Sequence, residues 1–345
     1  MSNKLMEDPR IDPRIKQIFG AVDFGISAED VAGREEMLAA ANSEAAIEAR
    51  NAMSGFMEMC DNEDISPAKG LSITKEVLTS EPDGNEILIQ YIRPEGDEVL
   101  PCVYYIHGGG MMSLSCFLGN YRSWGKIIAH QNLAVAMVEF RNCLEPSEVK
   151  EVAPYPAGLN DCVSGLKWVH ANAQRLGIDA GNMIVAGESG GGNLALASGL
   201  KLLRDGDIAL IQGLYALCPY IAGYWPHPDH PSSVENNGIL LDLHNNRGAM
   251  AYGIEALEAK DPLAWPGFAS IEDLQGLPKT MISVNECDPL RDEGIAFYRK
   301  LLGAGVRAQC RQVMGTIHGA EIFPIACPDV SYTTARDIAG FMRSE

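Results

Sequence analysis

Asn182-Met183-Ile184-Val185-Ala186-Gly187-Glu188-Ser189-Gly190-Gly191-Gly192-Asn193, running on through an Ala/Leu-rich stretch to Leu203, is the segment that decides the fold. Four apolar residues form a short buried strand. Gly-Glu-Ser-Gly-Gly-Gly is then a turn too tight for side chains beside the serine, and a helix follows. Gly-x-Ser-x-Gly between a strand and a helix is a nucleophile elbow, which lifts the serine hydroxyl out of the bend. The helix N-terminus points unpaired N–H groups and its positive dipole end at the same place. A phosphate-cradling loop is the competing reading of so many glycines, and it fails because no Gly-Lys-Ser/Thr follows.

Outward from this turn, strands and helices alternate. Upstream, Leu71–Thr79 and Glu86–Arg93 show the period of two expected of strands, and Glu81-Pro82-Asp83-Gly84-Asn85 between them is a turn, so the pair reads as an antiparallel hairpin. Cys102–Ile106 is a buried strand ending in His107-Gly108-Gly109-Gly110. Tyr121–Gln131 reads as a helix, Leu133–Phe140 as a strand and Ala157–Leu176 as a helix. Downstream come the strand Leu210–Cys218, a break in the rhythm over residues 219–270, the strand Thr280–Val284, the helix Asp292–Ala304, the strand Arg307–Val313 and the helix Val330–Met342. The break holds Tyr224-Trp225-Pro226-His227-Pro228, a helical patch from Asp242 to about Lys260, and Trp265; an insertion of that size beyond a strand reads as a lid. Residues 1–60 read as helical. Ser27-Ala28-Glu29-Asp30 resembles a capping box, and Glu35 to Met59 runs without proline. Met37, Met53, Met57 and Met59 in that run read first as packed core and second as a greasy, adaptable surface. This order predicts an α/β protein: a mostly parallel sheet with helices on both faces, whose function lies beyond the carboxyl ends of its strands.

Composition narrows the partners. The chain has 345 residues, 46% of them apolar, enough for one large α/β domain with an added cap. A net charge of -19 disfavours nucleic acid and anionic lipid. Nine scattered cysteines without paired spacing suggest reduced thiols in a cytoplasmic protein. The first residues lack a signal-peptide core, and no stretch is long enough to span a membrane.

A serine hydroxyl needs a base, and the base an orienting carboxylate. Both belong at strand ends downstream of Ser189, acid before histidine. Asp288 follows the strand ending at Val284, with Glu286 as its nearest rival and Asp292 and Glu293 inside the next helix. His318 follows the strand ending at Val313. His107 reads as a support for its glycine turn, His130 and His170 as helix residues, and His244 as a helix-start residue. His227 and His230 have too few neighbouring ligands for a metal site. Backbone N–H groups of Gly108, Gly109, Gly110 and Gly190 are the expected oxyanion donors.

With these pieces in place the sequence resembles the hormone-sensitive-lipase family of α/β-hydrolases, the bacterial family IV esterases. The likeness lies in His107-Gly108-Gly109-Gly110, Tyr155-Pro156-Ala157, Gly187 to Asn193, Asp288-Pro289-Leu290-Arg291-Asp292-Glu293 and His318-Gly319, and covers residue 70 to the end. The resemblance implies hydrolysis of short-chain carboxylic esters with Ser189 as nucleophile, Asp288 as acid and His318 as base. It involves no cofactor and no metal. It also implies a cap built from residues 1–65 and 219–270 over a core of residues 66–218 and 271–345, and a homodimer through the strand near Arg307–Val313. A lactonase and a non-catalytic small-ligand receptor on the same fold are the alternatives. The chain departs from the family at Glu188, where the family has Asp, at Gly190, where it has Ala, in Phe140–Pro146, and at Ala320, where it has Phe.

Overall fold

The computed structural model describes residues 4–20 and 29–344. Eight strands form one sheet in the order β1-β2-β4-β3-β5-β6-β7-β8, with β1 Leu71–Thr79, β2 Glu86–Pro94, β3 Leu100–Ile106, β4 Ala134–Glu139, β5 Ile178–Glu188, β6 Gly213–Leu217, β7 Lys279–Cys287 and β8 Ala308–Ile317. β1 and β2 are the expected hairpin, closed by Ser80 and Asn85, and β2 runs antiparallel to β4. All remaining pairings are parallel.

Parallel strands covered on both faces need near-continuous apolar runs, and β3 and β4 have them, with Glu139 at the end of β4 as the charged exception. Period-two alternation then sorts β3 into two cores. Cys102, Tyr104 and Ile106 join Leu166, Leu196 and Leu200 on one face, while Val103 and Tyr105 join Trp124, Ile127 and Phe341 on the other. The crossover helices are Gly119–Ala129, Ala157–Ala171, Gly190–Asp205 and Arg291–Gly303, and Pro328–Arg343 follows the last strand. Gly206 ends the third of these in a left-handed conformation, φ +82°, as a helix C-terminus commonly requires.

The differences from the sequence expectation are local. The run Glu35–Met59 is two helices, Arg34–Ala41 and Glu44–Glu58, because the Ser43 hydroxyl accepts the Ala46 N–H and starts a second helix. The patch expected from Asp242 begins only at Arg247. Asp242 and Asn245 side chains accept backbone N–H groups there and hold residues 242–246 in turns. β8 runs on past Val313 to Ile317, which brings its end to His318. Ser27 and Ala28 of the expected capping box lie outside the described residues. No helix among the described residues is long and apolar enough to cross a membrane. All nine cysteines are free thiols, and eight are buried; Cys310 on β8 is the partly exposed one.

Candidate active site

The elbow forms because its glycines let three backbones meet. A Cβ on Gly187 or Gly191 would come within 3 Å of the Ile106 carbonyl oxygen, so the turn and the end of β3 pack backbone to backbone. Ser189 pays the conformational cost, with φ +57° and ψ -119°, a backbone that a non-glycine residue holds only when its surroundings fix it. Its N–H donates to Leu217 O and its carbonyl accepts from Tyr220 N–H, which pins the elbow to the end of β6.

The strand ends bring three distant side chains together. Ser189 Oγ lies 2.8 Å from His318 Nε2, and His318 Nδ1 lies 2.8 Å from Asp288 Oδ2. Asp288 is fully buried, and its Oδ1 accepts the Leu290 N–H at 2.9 Å. With Nδ1–H donating to Asp288, Nε2 is left as an acceptor for the serine proton. Burial disfavours the charged imidazole of His318, but the Asp288 carboxylate and the Cys218 sulfur outweigh it and raise the pKa well above the ordinary 6.5.

The rival acids are committed elsewhere. Glu286 Oε2 accepts the Gly315 N–H, and Asp292 accepts the Ser232 N–H. Glu293 is buried under the Ile221 and Ala222 N–H groups and the Trp225 indole, with burial pushing its pKa to about 8. Among the histidines, His107 stacks on Phe140 at 4.3 Å, and burial holds it neutral with a pKa lowered to about 4. His130 Nε2 meets the Pro67 carbonyl, and His244 Nε2 meets the Ser233 carbonyl. His227 and His230 stack on each other at 3.9 Å. Among the described residues, the one group of three metal-type donors is Cys218, Asp288 and His318, within 4.8 Å of one another and buried. Cys218 was not singled out from the sequence. Its place just past the end of β6, beside the other strand-end residues, is the signal that could have found it.

One oxyanion candidate is corrected. The Gly108 N–H donates to Glu188 Oε1 at 2.7 Å, so it is directed at a buried carboxyl and not at the cavity. Glu188 also receives the Tyr121 hydroxyl at 2.5 Å and the Tyr105 hydroxyl at 2.6 Å, and burial raises its pKa to about 7. Gly109 and Gly110 line the cavity that holds Ser189 and His318. Gly190 packs directly against the Gly110–Met111 peptide.

That cavity, about 470 Å³, has walls from segments far apart in sequence. Met37, Met53 and Met57 come from the N-terminal helices, and Leu240 to Leu243 with Arg247 from the insertion. Three of the four methionines therefore face the cavity, and Met59 is instead exposed. Trp225 and Trp265, which belong to the insertion read as a lid, lie apart from this cavity, buried in an aromatic cluster with Tyr220.

Residues 103–322 match the family model for the alpha/beta hydrolase fold. The chain belongs to the α/β-hydrolases. Within that family the hydrolase is similar to the solved structure of esterase Est22, with 68% identity, full coverage of both chains and a TM-score of 0.98. It is also similar to brefeldin A esterase, a bacterial homologue of human hormone-sensitive lipase, with 35% identity, 98% and 94% coverage and a TM-score of 0.83. Carboxylesterase NlhH of Mycobacterium tuberculosis is 31% identical over 261 residues, 74% of this hydrolase and 77% of that protein. The hydrolase is thus a relative of the hormone-sensitive-lipase esterases, as the motifs implied.

Proposed function

We propose that this chain is a serine carboxylesterase acting on short-chain acyl esters through an acyl-enzyme. The observation that carries the reading is the unbroken relay from Ser189 Oγ through His318 to buried Asp288, opening on an apolar cavity. In this reading His318 Nε2 takes the Ser189 proton as the oxygen attacks the ester carbonyl. Asp288 fixes the tautomer and stabilises the imidazolium. Gly109, Gly110 and Gly190 N–H groups receive the oxyanion, each such donor being worth about 3 kcal/mol in the transition state. His318 then protonates the leaving alcohol, and water returns through the same base to release the acid.

Residues 1–65 and 219–270 act as the cap in this reading, since both supply walls of the cavity above the strand ends. The nine free thiols support a cytoplasmic site of action. The outer edge of β8, which pairs with no other strand among the described residues, supports a homodimer.

Hydrolysis of a p-nitrophenyl ester series by wild type and Ser189→Ala tests the reading. Wild type is expected to favour short acyl chains and the variant to lose nearly all turnover while keeping its fold. Full activity in the variant would refute the assignment of Ser189. Tight ligand binding without turnover in wild type would favour a receptor.

A further inference from the structure

Arg247 is the one lysine or arginine in the wall of the Ser189 cavity among the described residues, a wall in which methionine and leucine are the commonest side chains. The chain carries 46 acidic residues against 27 Lys and Arg. Even so, among the described residues no carboxylate lies within ion-pairing distance of Arg247 and its side chain makes no hydrogen bond. Two acids among the described residues line the same cavity: Asp242, whose Oδ1 is taken by the Asn237 amide at 2.8 Å and the His244 N–H at 3.2 Å, and Glu188, whose oxygens are taken by the Gly108 N–H and the Tyr105 and Tyr121 hydroxyls. The arginine backbone, by contrast, is fixed: its N–H donates to Asn245 Oδ1 at 3.0 Å in the first turn of Arg247–Tyr252.

The same geometry relates Arg247 to the nucleophile. Tyr220 N–H donates to the Ser189 carbonyl, and the Tyr220 hydroxyl lies against Gly248, so close that a Cβ on that glycine would overlap it. One tyrosine side chain therefore spans from the elbow to the residue after Arg247. A substrate group that reached Arg247 from an ester carbonyl at Ser189 would therefore be several bonds from that carbonyl. Guanidinium groups hold carboxylates through two parallel N–H···O bonds, and do so more strongly against apolar walls than in water. Without such a group, a net charge of -19 would work against an anionic substrate.

We propose that Arg247 is a specificity-determining residue that receives a carboxylate on the substrate, so that the preferred esters are half-esters of dicarboxylic acids or acylated hydroxy acids. This rests on the esterase reading above and adds the substrate class to it.

Two matched pairs separate the sources of the anion. Monoethyl glutarate against ethyl 4-carbamoylbutanoate places the charge on the acyl side. 4-Acetoxybutyrate against 4-acetoxybutanamide places it on the alcohol side. In wild type, kcat/KM is expected to favour the anionic member of one pair, and added salt to weaken that preference. Arg247→Gln is expected to lower the anionic-over-neutral ratio at least tenfold, mainly through KM, with Arg247→Lys keeping part of it, as befits loss of a charged hydrogen bond. An unchanged ratio in both pairs would overturn the proposal. Calorimetric binding of monoethyl glutarate and 4-acetoxybutyrate to Ser189→Ala, with and without Arg247→Gln, reads the same contact without turnover. A binding loss there upholds the arginine contact even if hydrolysis fails and the esterase reading falls, and equal binding of both ligands overturns it.

Discussion

Replacing Glu188 by Gln is expected to flatten the pH dependence of stability by an amount the structure fixes. Burial raises the Glu188 carboxyl from 4.5 to about 7. Unfolding returns it to its ordinary value, so between those limits the folded chain binds more proton than the unfolded one. Stability then falls as pH rises. The Glu188 contribution is fully present below about pH 4.5 and is lost by about pH 7. A shift of this size corresponds to about 3 kcal/mol. At roughly 2 cal/mol/K of unfolding entropy per residue, that is about 4 °C in Tm for a chain of 345 residues. A glutamine cannot ionise, yet its oxygen can still accept from Gly108 and Tyr121. The amide facing Tyr105 has a cost that is constant with pH, so the slope is the quantity to compare. Burial also raises Glu139, to about 7, and Glu293, to about 8, and both stay in the variant. Calorimetry or urea unfolding from pH 5 to 8 should show wild type losing most of that extra 3 kcal/mol relative to Glu188→Gln. Parallel curves would refute the assignment of a raised carboxyl at this position.

Three other outcomes follow from the same geometry. Asp288→Asn should cut kcat by about 10⁴-fold by spoiling the His318 tautomer; with the carboxylate that raises His318 gone, the acid limb of kcat/KM, expected above pH 6.5 in wild type, should move down. Gly190→Ala would place a Cβ 2.5 Å from Met111 N and 2.8 Å from Gly110 N, so the turn proposed to hold the oxyanion must shift. A drop in kcat of about 10²–10³ is expected, and activity within threefold of wild type would count against the turn's role. Met57→Ala should relax the preference for short acyl chains, measured across an ester series, because Met57 is buried in the cavity wall.

How far the sequence could be read depended on what each feature requires. Gly187 to Asn193 was legible because strand, turn and helix are contiguous, and strand order then placed Asp288 and His318 on the same side of the sheet as Ser189. Asp288 stood out from Glu286 only by loop position; the hydrogen bond of Glu286 to Gly315 separates them in space. Gly108 was misjudged because its N–H is claimed by a side chain 80 residues away. The Glu188 departure was visible, but its partners Tyr105 and Tyr121 are 83 and 67 residues distant and carry no local pattern. The two tryptophans of the insertion carry no local pattern that tells cavity wall from core; Trp225 stacks on Tyr220 and Trp265 meets it edge to face, which draws both into their own cluster.

The placement of the nine sulfhydryls has a practical consequence. With eight of them enclosed, a maleimide reagent applied to the native protein meets Cys310 first, on the outermost strand. A single fluorophore or spin label can therefore be installed without mutagenesis, on an edge strand of the sheet and far along the chain from Ser189. Such a label would test whether two copies associate through that edge, as the proposed homodimer requires.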